Sequence, residues 1–113
     1  MGIEIELRGP DRFPELAAAF GPAVSDIVGK ATYDLLARTQ HTSPFREGNL
    51  KASHQARYRQ GETRGELYVG AHYAGYQEFG TTHGVPARRW VRDAVDVVQP
   101  AMVAMLGRLE ERL

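Results

Sequence analysis

The feature that most constrains the fold is a change of apolar period at Gly9-Pro10. Before it, Ile3, Ile5 and Leu7 alternate with Glu4, Glu6 and Arg8, the period of a strand with one buried face. After it, Leu16, Phe20, Val24, Ile27, Ala31 and Leu35 recur in steps of three and four, which makes one helical stripe. A single strand cannot bury its face alone and must find partners further along the chain. Strand and helix in succession point to an α+β arrangement, with helices packed on one face of a small sheet.

Asp11 is the expected N-cap of that helix. Gly21-Pro22 interrupts the stripe, and a proline inside a helix loses a hydrogen bond and clashes with the preceding turn, at a cost of about 3 kcal/mol. The stripe keeps phase across the break, which predicts one kinked helix rather than two. His41–Asn49 is loop chemistry, with Pro44 and Gly48 in a polar run. The segment from about Leu50 to Tyr58 alternates loosely, and Glu66–Gly70 is β-rich. The intervening "RQGETRG" reads as a hairpin connection with Gly61 in the left-handed region.

"HYAGYQEF" then suits a helix of two turns stopped by Gly80. From about Ala87 to Leu113, Val91, Ala94, Val98, Ala101, Met105, Leu109 and Leu113 form a last amphipathic stripe, with Pro100 inside it. The order is β–α–β–β–α–α. The expected architecture is an α+β domain over residues 1–113: a small antiparallel sheet with a long N-terminal helix, a short middle helix and a C-terminal helix packed on one face.

The chain of 113 residues has no cysteine and a formal net charge of zero. Disulfides, thiolate–zinc sites and thiol catalysis are excluded, in keeping with a reducing compartment. The N-terminal residues lack the apolar core of a signal peptide, and no apolar run is long enough to span a bilayer. A soluble protein made in the cytosol is the expectation, without a membrane partner. Charge balance argues for no polyanionic partner and opposes self-association little.

The densest chemistry lies in Tyr73–Trp90, "YAGYQEFGTTHGVPARRW". His72, Glu78 and His83 have no spacing that fixes two of them on one helix face, so a metal site is not supported. Ser25, Ser43 and Ser53 lack a nucleophile elbow, and Thr81, Thr82 and His83 are adjacent in sequence, which is not how a triad is assembled. "GTTHG" lacks the ending of a phosphate loop. Neither catalytic residues nor a cofactor is expected. Arg88, Arg89 and Arg92 open a helix whose dipole disfavours cations, which leaves a solvated face, a protein contact or nucleic acid as their purpose.

In the hairpin, Arg46, Lys51, Arg57, Arg59 and Arg64 with Tyr58 suggest a nucleic-acid surface. The interleaved Glu47, Glu62 and Glu66 favour a solvated strand face instead. Glu78, between aromatic residues and a glycine, is either solvated or buried against an arginine, Arg88 or Arg92 being the candidates.

Three segments taken together resemble a known family. "SPFREGNLKAS" resembles its Pro-x-x-x-Gly-x-Leu-x-x-Ser turn, through Gly48, Leu50 and Ser53. "YAGYQEFGT" resembles its Tyr-Ala-x-Tyr/Phe-x-Glu-Phe-Gly-Thr signature, through Tyr73, Ala74, Glu78, Phe79, Gly80 and Thr81. "VPARRWVRDAV" resembles its Pro-Ala-Arg-Pro-Phe-Leu-Arg-x-Ala segment, through Pro86, Ala87, Arg88, Trp90 and Arg92. The family is that of the neck or tail-completion proteins of long-tailed double-stranded-DNA phages and prophages. The resemblance covers about residues 12–112, with Arg89 where a second proline is usual and Trp90 where phenylalanine is usual. Loss of that proline is expected to let the last helix start earlier.

The resemblance implies a non-enzymatic virion protein at the head–tail junction, made in the bacterial cytoplasm. Its copies would form a ring, sixfold by expectation, contacting tail tube or tail-terminator proteins and head connector proteins. Genomic DNA would pass through without sequence-specific binding, and the residues above would be family-motif and subunit-contact positions. A tail-terminator-type ring subunit is the alternative, and a small nucleic-acid-binding module a more distant one.

Overall fold

The computed structural model describes residues 2–43, 53–59, 61, 63–70, 74–80 and 89–113. Its elements are β1 (Ile3–Glu6), α1 (Phe13–Thr42), β2 (His54–Arg57), β3 (Glu66–Val69), a six-residue helix α2 (Ala74–Phe79) and α3 (Trp90–Glu110). The fold is α+β: a three-stranded antiparallel sheet in the order β1-β3-β2, against which the long first helix and the C-terminal helix pack together.

β3 lies between the two other strands, so the N-terminal strand pairs with a segment more than sixty positions away, Ile3 opposite Val69 and Ile5 opposite Leu67. β2 adds Ala56 opposite Leu67 and His54 opposite Val69. These rows face the helices, and Ile3, Leu67, Val69 and His54 are buried. The alternate rows carry Glu4, Glu6, Gln55, Arg57, Glu66 and Tyr68 on the outer face, as period-two alternation requires.

α1 is 30 residues long, about 45 Å at the usual rise, and it sets the 51 Å long axis of the molecule. Two helical segments run together here with a bend between them: Phe20 has φ −132° and ψ 42°, outside the helical range. The kink falls in the turn before Pro22, where the proline ring would meet the backbone. The N-cap is Arg12 and not Asp11, because Phe13 N–H donates to the Pro10 carbonyl and closes a turn that takes Asp11 out of position. The buried face also broadens beyond the predicted stripe. Val28, Thr32 and Thr39 join Leu16, Val24, Ala31 and Leu35, while Phe20 and Ile27 are only partly buried. The buried hydroxyls are satisfied within the helix: Thr32 donates to the Val28 carbonyl at 2.7 Å and Thr39 to Leu35 at 2.8 Å.

α3 runs antiparallel to α1. The Arg12 guanidinium, at the start of α1, is held above its ordinary pKa by its hydrogen bond to Glu15 first and also by the charge of Glu110 at the far end of α3. Val91, Ala94 and Val98 are buried as the periodicity predicts, and Trp90 is buried beside them. Beyond Val98 the prediction fails: Met102 and Leu106 enter the core, while Ala101 is exposed and Met105 is 42% exposed. The chain offers apolar residues at both the three- and four-residue steps after Val98, and packing against α1 selects the latter.

Candidate functional site

Of the residues singled out by the sequence, Ala74, Glu78, Gly80, Trp90 and Arg92 lie where α2 approaches the start of α3. Ala74 and Glu78 stand one helical turn apart, and both are buried. Gly80 follows at φ 77°, a conformation that costs glycine little and stops the helix. Eleven positions after Glu78, Arg89 sits at φ 53° and ψ 27° as the N-cap of α3, with no capping side chain of its own.

The cap comes from Glu78. Its carboxylate is 2% exposed, and its two oxygens accept separate hydrogen bonds, Oε1 from the Val91 N–H at 2.9 Å and Oε2 from the Arg92 N–H at 3.0 Å. The Glu78 carbonyl accepts a third, from the Arg89 N–H at 3.1 Å. The first N–H groups of a helix have no partner inside it and carry the positive end of its dipole. A carboxylate there satisfies two donors at once and finds the positive potential that burial of a charge demands.

For Arg92, the expected side-chain pair with Glu78 is replaced by a backbone bond. Arg92 does meet Glu78, through its backbone N–H, and its side chain is exposed. Arg88 lies outside the described residues. The anion also accounts for arginines at a helix start, because Glu78 offsets the positive potential that they and the dipole would otherwise share. The expected early start of α3 is corrected too: the helix begins at Trp90, after a left-handed Arg89. Proline is locked near φ −65° and has no N–H, so a proline at position 89 could neither adopt φ 53° nor donate to Glu78.

Trp90 fastens the same corner to the sheet. It is 3% exposed, and its Nε1–H donates to Nε2 of the buried His54 at 3.1 Å. The rings meet edge to face with centroids 6.2 Å apart. Accepting at Nε2 places the proton of the neutral imidazole on Nδ1. His54 was not singled out by the sequence. The usable signal was its phase: it shares the inner face with Ala56, while Gln55 and Arg57 face outward. Ser53 stands in the turn before β2, where its carbonyl accepts from the Gly70 N–H at 3.0 Å. Phe79, beside the buried glutamate, points the other way and is 63% exposed. Gly48, Leu50, Tyr73, Thr81, Pro86 and Ala87 lie outside the described residues, as do His72 and His83.

Two of the hairpin cations, Arg57 and Arg64, are neutralised, while Arg46 and Lys51 lie outside the described residues. Arg57 lies 3.6 Å from Glu4 and 4.0 Å from Glu66, and stacks over Tyr68 at 4.4 Å. Arg64 pairs with Glu6 at 3.3 Å and also with Glu66. Tyr58 is turned away from them onto α1. Its hydroxyl donates to the Ser25 carbonyl at 2.8 Å and lies 2.6 Å from Ser25 Oγ, which also accepts from the Gly61 N–H. The ring rests against Gly29, where a Cβ would fall 2.6 Å from it. Tyr58, which the sequence left open to a nucleic-acid role, thus joins Ser25 in pinning the hairpin to the helix.

Among the described residues no group of three metal-ligating side chains converges, and no helix is long and apolar enough to cross a membrane. The arrangement is one of joints: Glu78 and Trp90 hold α2, α3 and β2 in a fixed relation, with both carboxylate oxygens already engaged. Comparison with family models, with curated proteins and with solved structures returned no match.

Proposed function

We propose that this chain is a non-enzymatic structural subunit at the head–tail junction of a phage or phage-derived particle, where its copies form a ring that completes the tail or neck. The reading rests on the three resembling segments, and one observation carries it. Two of those segments are tied together in space by the Glu78 carboxylate on the amides of Val91 and Arg92. The most chemically suggestive residues of the motif are thereby engaged in building a rigid corner.

That corner leaves Phe79 exposed at its edge. A ring is built from heterologous contacts, in which one patch of a subunit meets a different patch of the next. A large aromatic held on a fixed element is the type of residue that anchors such a contact. Tail tube or terminator proteins below and connector proteins above are the partners this reading implies.

The test is to disrupt the gene and image the particles by electron microscopy. Separate heads and tails, or incomplete tails, are expected, and Phe79→Ala supplied in trans should fail to restore joining while keeping the stability of the parent protein. Normal infectious particles from the disrupted gene would overturn the proposal.

A further inference from the structure

α1 and α3 enclose an open groove of about 840 Å³. Its α3 wall exposes Val97, Ala101 and Met105, one turn apart, with Val97 50% and Met105 42% accessible. Its α1 rim carries Asp26, Lys30, Asp34 and Arg38, again one turn apart and all exposed. We propose that this groove is closed by the same groove of a second copy, across a two-fold axis, so that the protein free of any particle is a dimer. The proposal rests on these two helices and is independent of the head–tail reading.

The order of charges selects that occupant. In a two-fold contact residue i meets j and j meets i, so a self-docking helix face must be complementary to its own reversal. The rim runs acid, base, acid, base. Reversed about its midpoint between Lys30 and Asp34, Asp26 meets Arg38 of the second copy and Lys30 meets Asp34. Every position finds an opposite charge, whereas parallel docking would set each residue on its own like. Lys30 and Asp34 already pair within the helix at 2.8 Å. Asp26 and Arg38 have no ionic partner among the described residues, and the second copy supplies one to each.

The apolar wall obeys the same symmetry. Reversed about Ala101, the small β-branched Val97 meets the long Met105. The axial residue meets itself, and as alanine it lets the two helices approach closely. An axis lying in the interface and crossing both helices satisfies the two walls together, because α1 and α3 are antiparallel and each pattern is centred in the groove. A net charge of zero leaves little long-range repulsion between the copies.

Sedimentation equilibrium on the full chain tests this through a charge swap at exposed positions. The expected mass is twice the 12.6 kDa of one chain. Asp26→Arg places like charges together twice per dimer and should raise the dissociation constant about 10-fold or more. Adding Arg38→Asp to that variant should return it to within about 3-fold of the parent, the signature of a coupled pair. Circular dichroism of each variant checks that the fold is kept. A wild-type monomer at about 100 μM, well above the range of specific association, would overturn the proposal and assign the groove to another partner. So would a dimer indifferent to Asp26→Arg, or a double variant that stays dissociated.

Discussion

The corner where α2 meets α3 and the groove between α1 and α3 are opposite in every physical respect. The corner holds the titratable and aromatic residues that suggest chemistry, and it is closed: Glu78 and Trp90 are buried and their polar atoms are paired. The groove holds residues of the kind that build cores, and it is open, with Val97 and Met105 about half exposed. The difference teaches that residue type does not identify the working surface of a small protein. A carboxylate with both oxygens committed to amides maintains structure, while an aliphatic stripe left half exposed is available for contact.

Truncating one residue in each region separates the two most strongly. Trp90→Ala removes a buried ring and its bond to His54, and should lower the unfolding free energy by about 3–5 kcal/mol. Met105→Ser, on the groove wall, should change that of the dissociated monomer by no more than about 0.5 kcal/mol, measured below the dimer dissociation constant. Guanidinium unfolding of the two variants checks both values, and similar losses would erase the distinction. A smaller change of opposite sign sharpens it. Arg89→Gly relieves the left-handed backbone at φ 53° and should leave stability unchanged or higher by up to about 1 kcal/mol, since strain relief competes with the added entropy of the unfolded chain. A clear loss in a thermal melt would mean that the Arg89 side chain contributes contacts of its own.

The fold was largely legible because apolar period encodes it. Ile3 and Ile5 marked a strand, the stripe from Leu16 to Leu35 marked the long helix, and Gly61 marked the hairpin turn, with φ 94° in the structure. The sequence was silent where the partner of a side chain is the backbone. Any residue at positions 91 and 92 other than proline offers the N–H that Glu78 uses, so no letter of the sequence announces the cap. Among side chains, only the nearby arginines carry the opposite charge.

The groove was hidden for a different reason. After Val98 the pairs Ala101/Met102 and Met105/Leu106 are apolar at both steps, so periodicity cannot say which member turns inward. Only the position of α1 decides, and it takes Met102 and Leu106. Tyr58 was legible as an aromatic among arginines but not as a pin, because its partners, Gly29 and Ser25, lie about thirty positions away on another element.

The Glu78 carboxylate works by holding the first turn of α3. Urea unfolding of Glu78→Ala tests it most directly. Two amides at a buried helix start lose their acceptor, and the expected loss is about 2–4 kcal/mol with an unchanged slope. A variant as stable as the parent would contradict the account and return Glu78 to the groups with work still to be found.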